Sequence, residues 1–484
     1  MFIGRDREIE EMTGFWGRDN GVLMTCRGRR RIGKSTLIEE FASRTAKRFF
    51  PIVGLAPRKG MTDARQRHHF CVKIAEYAER ECIEAETWSK AFKQLDGLLD
   101  DCGRTVVLLD EISWMGGYNP DFAGYFKEAW DGYLHKHRDL IVILCGSVSA
   151  WIAENILNAT GFVGRDSFDI ELGELSLADS VKLFGPMNER LSTTEKLDLL
   201  SLTGGVPKYL EEVRPELSVD ENFRRLCFLP RSILFREFNE TFSEVFGARV
   251  STRGRILRLL LDRGLSSSEL AEREGRTPNG SYAEALRDLQ LAGFVAEDGG
   301  LSPLTGKPIK QSRYRVKDNY ARFYLKNIEP RSAAIKSGLF AFSLLEQLNG
   351  WDSILGLQFQ NLILNHVTDL FPRLGLEKSL VLSAAPYFQN ATKRNRGCLI
   401  DLLIRTERML MVVEIKRKKE IGHEIIAEVE EKVRRLRHDK RLSIRTALVY
   451  DGKLAASVPA DRYFDFIVSA DCLLGEVAKW GRVS

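Results

Sequence analysis

The segment Gly28-Arg29-Arg30-Arg31-Ile32-Gly33-Lys34-Ser35 fills every fixed position of the pattern G-x-x-x-x-G-K-[ST], and it restricts the possible folds more than any other stretch. Such a loop works between a buried strand and a helix. Its glycines let the backbone curl round an anion, the lysine reaches terminal phosphates, and the hydroxyl ligates Mg²⁺. The flanks agree with this. Gly21-Val22-Leu23-Met24-Thr25-Cys26 reads as a short buried strand, and Thr36-Leu37-Ile38-Glu39-Glu40-Phe41-Ala42 reads as a helix. The helix N-terminus, with unpaired N–H groups and a positive dipole end, then lies under the phosphates. Gly28, Gly33, Lys34, Ser35 and Thr36 are the expected nucleotide-binding residues.

A second motif strengthens the first. Thr105-Val106-Val107-Leu108-Leu109-Asp110-Glu111 is a continuous apolar run ending in two carboxylates, the pattern of a central parallel strand buried on both faces. Asp110 is expected to hold Mg²⁺ together with Ser35, and Glu111 to polarise the water that attacks a γ-phosphate. Leu140-Ile141-Val142-Ile143-Leu144-Cys145-Gly146-Ser147 is another such strand, and Ser147 at its tip would lie beside the γ-phosphate if this strand neighbours the other two. Strands alternating with helical stretches predict a parallel α/β sheet.

At 484 residues several domains are expected. With 44% hydrophobic and 29% charged residues the chain is a folded protein rather than a disordered one. Its 72 basic and 67 acidic side chains nearly cancel to +5, so a basic surface for nucleic acid must be local. The eight cysteines form no C-x-x-C pair, which predicts buried thiols in a reducing cytoplasm. No apolar run approaches the roughly 18 residues of a membrane span, so a cytoplasmic protein with no membrane partner is expected.

From Ser176 onward the pattern turns helical, through Ala178–Phe184 and Glu195–Leu200 to Thr203-Gly204-Gly205-Val206-Pro207, and reads as a helical lid. Taken with Phe2-Ile3-Gly4-Arg5-Asp6-Arg7-Glu8, the Gly28 loop, the Asp110-Glu111 strand, Gly146-Ser147 and Gly164-Arg165, this order resembles the archaeal-type ATPases of the AAA-related STAND class over roughly the first 240 residues. The resemblance implies ATP and Mg²⁺ as cofactors, Arg5 and Pro207 flanking adenine and ribose, Arg165 as a γ-phosphate sensor, and homo-oligomerisation on activation.

Residues 250 to 327 read as a winged helix-turn-helix. Arg255–Leu261 is an apolar helix, Ser266-Ser267-Ser268-Glu269 is a capping box that opens a second, and Tyr282–Ala292 forms a third, followed by wing strands at Phe294–Glu297 and Arg313–Val316. The third helix carries Glu284 and Asp288 against Arg287, so repulsion from phosphates argues against groove reading and favours a packing module.

The last constellation is Leu399-Ile400-Asp401-Leu402-Leu403-Ile404 followed by Met411-Val412-Val413-Glu414-Ile415-Lys416. A hairpin turning between Glu407 and Arg408 sets Asp401 opposite Glu414 with Lys416 on the same face. Two carboxylates so placed suit a Mg²⁺ site, with Lys416 orienting or deprotonating water; the bland alternative is a Glu414–Lys416 salt bridge. The arrangement resembles the PD-(D/E)XK nuclease superfamily over about residues 335–484, and implies DNA or RNA as partner. Gln360 stands where that superfamily usually carries a glutamate, and an amide is a poorer metal ligand. Lys393–Arg396, Lys416–Lys419 and Arg434–Arg437 supply local positive charge.

The expected architecture is therefore a P-loop α/β ATPase core (residues 1–170), a helical lid (171–248), a winged helix (249–330) and a restriction-endonuclease-like α/β domain (331–484). The expected function is an ATP-driven switch controlling nucleic-acid cleavage, the alternative a non-catalytic signalling or DNA-binding ATPase with a nuclease-fold scaffold.

Overall fold

The computed structural model describes residues 2–99, 103–147, 149–158, 166–275, 280–310, 312–340, 344–391 and 396–475, without the side chains of 149, 150, 166, 167 and 248. The chain divides into two compact units, Met1–Glu174 and Leu175–Ser484.

The first unit is built on a wholly parallel five-stranded sheet of β1 (Val22–Arg27), β2 (Arg48–Val53), β3 (Thr105–Asp110), β4 (Leu140–Gly146) and β5 (Asp166–Glu171), in the order β2-β3-β4-β1-β5. The runs TVVLLD and LIVILCG are buried at every position, as strands covered on both faces must be. The polar Thr25 is tolerated in β1 because its hydroxyl donates to Asp169 of β5 (2.6 Å), which also receives the guanidinium of Arg27 (2.9 Å). One face of the sheet is sealed by an aromatic cluster in which Trp88 meets Phe122 edge-on at 4.7 Å and Phe92 meets Phe126 at 5.6 Å. The strand order puts β4 between β1 and β3, so the carboxyl ends that carry Gly28, Asp110 and Ser147 are neighbours.

In the second unit the helix Thr193–Thr203 opens on a complete Ser192/Glu195 capping box and closes on Gly204 at φ 67°. Farther on, the helices Val250–Leu259, Ser267–Arg273 and Gly280–Leu291 accompany an antiparallel sheet of β6 (Leu265–Ser266), β7 (Val295–Asp298) and β8 (Arg313–Val316), ordered β6-β8-β7. The capping box expected at Ser266 and Glu269 is present. The charge argument for the third helix changes: Asp288 is buried and paired with Arg253 (2.7 Å), while Glu284 meets Arg249 at 3.3 Å. These acids bind the first helix to the third, and Asp288 presents no charge to solvent.

The C-terminal sheet is ordered β13-β12-β11-β10-β9, from β9 (Ser383–Gln389), β10 (Cys398–Arg405), β11 (Met409–Ile421), β12 (Ser443–Leu454) and β13 (Phe466–Ser469). The first three strands are antiparallel neighbours and the last three parallel. The helix Trp351–Asn365 precedes β9, and Glu424–Arg435 connects β11 to β12. Leu402 pairs with Val413 and Arg405 with Leu410, the register expected of a turn between Glu407 and Arg408.

Two irregularities shape this sheet. Ile400 pairs with Tyr387 and Leu403 with Ala385, so Asp401 and Leu402 together face Pro386. Proline cannot donate to the ladder, and its place on the edge strand β9, opposite a bulge in β10, accommodates it. A second shift falls between Arg417 and Glu420 of β11, opposite Gly452. Gly452 has φ +119°, and a Cβ there would lie 1.8 Å from the Lys418 carbonyl oxygen.

Among the described residues no helix is long and apolar enough to cross a membrane. Among the described residues five cysteines are buried as expected, whereas Cys82 and Cys472 are exposed. Gly452→Ala is expected to destabilise the second unit by about 3 kcal/mol, read as a lowered urea midpoint at unchanged m-value; a midpoint equal to wild type would show that the bulge relaxes freely.

Candidate functional site

The phosphate loop leaves β1 at Arg27 and enters the helix Lys34–Thr45. Gly28 has φ +148° and its Cα passes so close to Leu172 that a Cβ would sit 2.4 Å from that carbonyl oxygen, and Gly33 caps the helix at φ 90°. Any side chain at Gly28 would push the loop off its neighbour. Buried Lys34 lies across the loop, its Nζ donating to the carbonyls of Gly28 (2.9 Å) and Arg29 (3.1 Å). Next to it, the Ser35 hydroxyl donates to Asp110 Oδ2 at 2.7 Å, and Asp110 Oδ1 accepts from the Glu111 N–H at 2.9 Å.

Glu111 follows β3 in a left-handed conformation, φ 49°, a strained choice for a residue that is not glycine. The turn brings Glu111 Oε2 to the N–H (3.1 Å) and hydroxyl (2.9 Å) of Ser147 at the end of β4. Gly28, Gly33, Lys34, Ser35, Asp110, Glu111 and Ser147 are thus gathered at one end of the sheet. Thr36 is exposed in the first helical turn. A hydroxyl and a carboxylate in contact form a hard oxygen donor set of the kind Mg²⁺ takes, so Ser35 and Asp110 fit the cation that the motif implies.

Other sequence-selected residues fall elsewhere. Arg5, also left-handed at φ 65°, donates from Nη2 to the Gly173 carbonyl and pairs with Glu8 at 3.4 Å. Burial depresses its guanidinium pKa despite Glu8. Pro207 stands at the first position of the helix Pro207–Leu210 in the second unit. Arg165 lies outside the described residues.

The second unit holds a second cluster. Asp401, at the β10 bulge, accepts from the Ile415 N–H (3.0 Å) on Oδ2 and from Gln360 Nε2 (2.9 Å) on Oδ1. Glu414 is buried beside it and pairs with Lys432 of the helix Glu424–Arg435. Lys416 turns to Glu428 of the same helix at 2.8 Å, so the Glu414–Lys416 bridge envisaged from sequence is replaced by two bridges to one helix. Asp401, Glu414, Lys416 and Gln360 line a common cavity of ≈ 820 Å³. Among the described residues no group of three or more His, Cys, Asp or Glu side chains has metal-site geometry. The oxygen donors that could hold a divalent ion here are Asp401 and Glu414.

The electrostatics follow from burial. Desolvation, then the neighbouring Asp401, push the Glu414 carboxyl up to about 7 against the pull of Lys432. Burial raises Asp401 as well, opposed by Lys432 and the Ile415 N–H, and Lys432 is raised because burial is outweighed by the two acids. At the cavity wall Arg417 bridges Asp451 (3.4 Å) and Asp198 of the helix Thr193–Thr203. Burial lifts Asp198 to about 6, with Arg417 opposing.

Sequence reasoning overlooked Lys432, Glu428 and Asp198, and took Arg417 only as part of a basic run. Glu428 and Lys432 carried a signal, since an i,i+4 acid–base pair shares one helix face. Asp198 carried none, because its partner lies more than 200 positions away.

One family comparison agrees with the first site. Residues 2–213 match the model of an ATPase domain predominantly from Archaea. This part of the chain is similar to an archaeal-type ATPase domain. An uncharacterized protein of Methanocaldococcus jannaschii is 24% identical over 388 residues, 76% of this chain and 78% of that one. The Walker-type ATPase of Pyrococcus abyssi aligns with TM-score 0.46 at 16% identity, covering 67% of this chain and 96% of that chain. The ORC2 protein of Aeropyrum pernix aligns with TM-score 0.40 at 14% identity, covering 70% and 96%.

Glu414 holds its proton more tightly when folded than its ordinary value of 4.5 allows. Its contribution to stability is therefore full below pH 4.5 and is lost as pH rises through about 7. In Glu414→Gln the decline of unfolding free energy between about pH 5 and 7.5 is expected to be shallower than in wild type, measured by urea titration at each pH. Identical slopes would place the Glu414 pKa near its ordinary value.

Proposed function

We propose that the protein is a Mg²⁺-dependent ATP-hydrolysing switch whose second unit is a metal-dependent nuclease acting on DNA or RNA. The observation that carries the ATP half is the 2.7 Å approach of the Ser35 hydroxyl to Asp110 at the foot of the loop, because it joins the two halves of a phosphate-and-cation site that lie 75 residues apart. Mg²⁺ between these groups would neutralise charge building on the phosphates. Lys34 would exchange two neutral carbonyl acceptors for phosphate oxygens, a stronger charge-assisted bond. Glu111, steered by Ser147, is the group to orient the attacking water, and Arg5, Pro207 and Arg165 keep the roles the resemblance implies.

The nuclease half rests on the shared face of Asp401 and Glu414. The order of a helix, three antiparallel strands, a helix and two parallel strands supports a PD-(D/E)XK fold, and the helices with the β6-β8-β7 sheet support a winged helix. Asp401 and Glu414 would hold Mg²⁺, while Lys416, tethered by Glu428, would orient water. A cytoplasmic, STAND-type protein that self-associates on activation completes this reading.

A second reading has its own support. Lys432 neutralises Glu414 and Gln360 caps Asp401, which makes the cluster self-sufficient as a scaffold in a signalling ATPase.

Purified protein incubated with Mg²⁺ or Mn²⁺ and single- or double-stranded DNA and RNA, with and without ATP, separates them. Lys34→Ala is expected to lower ATP turnover by about 10²-fold or more, and unchanged turnover would remove the ATP half. Asp401→Ala is expected to abolish cleavage while ATP hydrolysis survives. Cleavage that persists in that variant sinks the nuclease half, and absence of cleavage in wild type with intact ATP turnover selects the scaffold.

A further inference from the structure

A second cavity in this unit, ≈ 250 Å³, is lined by residues of the β6-β8-β7 sheet, the helix Trp351–Asn365 and strands β9 and β10. It contains a buried cation that no carboxylate touches. Arg322 is 7% exposed, donates from Nη1 to the Leu357 carbonyl at 3.2 Å, and has a buried Nε with no acceptor. The acids that line the cavity make their hydrogen bonds elsewhere, Asp298 with Arg315 (2.9 Å), Asp262 with Lys326 (2.6 Å), and Asp401 with Ile415 and Gln360, so Asp262 and Asp298 attract Arg322 only from a distance. Burial and the neighbouring Arg315 lower the Arg322 pKa to about 10, so it remains a cation at neutral pH. A buried guanidinium without a carboxylate partner is costly, and an anion would relieve that cost.

The same cavity has an apolar side. Phe388 and Leu399 are cross-strand partners on β9 and β10, and they are 39% and 56% exposed. Arg313 already stacks on the Phe388 ring, its guanidinium carbon 4.0 Å from the centroid. A large exposed apolar pair beside a buried cation with an unfilled donor describes an amphipathic ligand. The volume, below the roughly 300–1,000 Å³ of sites for drug-sized molecules, limits its size.

We propose that this cavity binds a small ring-bearing anion, a phosphate or carboxylate carried on an aromatic or heteroaromatic ring, with its charge against Arg322 and its ring against Phe388 and Leu399. The site is separate from the phosphate loop and stands whether or not the second unit is a nuclease. Because Gln360 and Asp401 line this cavity and the larger one alike, an occupant would adjoin the carboxylate cluster.

The test is isothermal titration of the full-length Lys34→Ala protein, which keeps the phosphate loop from answering for this site, with AMP, benzoate and inorganic phosphate. AMP or benzoate is expected to bind with one-to-one stoichiometry, the stronger of the two telling phosphate from carboxylate, and inorganic phosphate at least about tenfold more weakly for want of a ring. Adding Arg322→Met should weaken binding by about tenfold or more, and adding Phe388→Ala by several-fold. Failure of both ring-bearing probes to bind at millimolar concentration overturns the proposal, as does undiminished affinity in the folded Arg322→Met protein. Should that variant not fold, the partly exposed Phe388 decides, and unchanged affinity in Phe388→Ala overturns it equally.

Discussion

Asp401 stays within an apolar sheet because the backbone is bent to serve it. Its carboxylate is met by a main-chain N–H from the next strand and by the amide of Gln360, and both contacts follow from the bulge opposite Pro386. A buried carboxylate needs such donors or it takes up a proton. Once Asp401 is held, Glu414 is forced close to a like charge, its pKa rises, and a cation must stand nearby. Lys432 fills that need, which fixes the face that the helix Glu424–Arg435 turns to the sheet. The Gly452 conformation belongs to the same chain of causes, because the bulge it faces begins two residues after Lys416.

The first unit solves the equivalent problem at the end of a strand. Asp110 sits at the end of its strand, where the Glu111 N–H and the Ser35 hydroxyl satisfy its oxygens. The stress moves into the backbone, and Arg5, Arg31 and Glu111 all adopt positive φ. Strain of this kind persists only where surrounding contacts over-determine it. For Glu111 the contacts are the two hydrogen bonds from Ser147, and for the loop they are the close pass of Gly28 against Leu172.

What could be read in the sequence and what could not divide along a physical line. The parallel sheet was legible because β3 and β4 are unbroken apolar runs, and the phosphate loop because its glycines are sterically obligatory. The β10–β11 register was legible because a short connection fixes which residues face each other. The partners of the resulting charges were not: Lys432, Asp198 and Arg253 are charged residues on helices, and local sequence does not distinguish a solvated charge from one that closes a distant ion pair. Asp288 shows the consequence, since a residue read as repelling phosphate is internal and neutralised. The cavity at Arg322 was illegible for the same reason, as it is assembled from segments with no common pattern.

The Asp198–Arg417 pair is the physical route by which the proposed coupling would run. Asp198 belongs to sequence that matches the ATPase-domain family, yet it lies in the second unit and grips β11 one residue beyond Lys416. Each side chain is half-buried, and the loss of solvent opposes the ionised state of Asp198 enough to hold it near 6. Separating the two would leave Arg417 with Asp451 as its remaining counter-charge in a poorly solvated place, and an uncompensated buried charge is expensive. The helix Thr193–Thr203 and the end of β11 are consequently bound to move together. A displacement of that helix would be felt first at Arg417 and next at Lys416, before it reached the carboxylates, so the proposed water-orienting position would be altered ahead of the proposed metal-holding one.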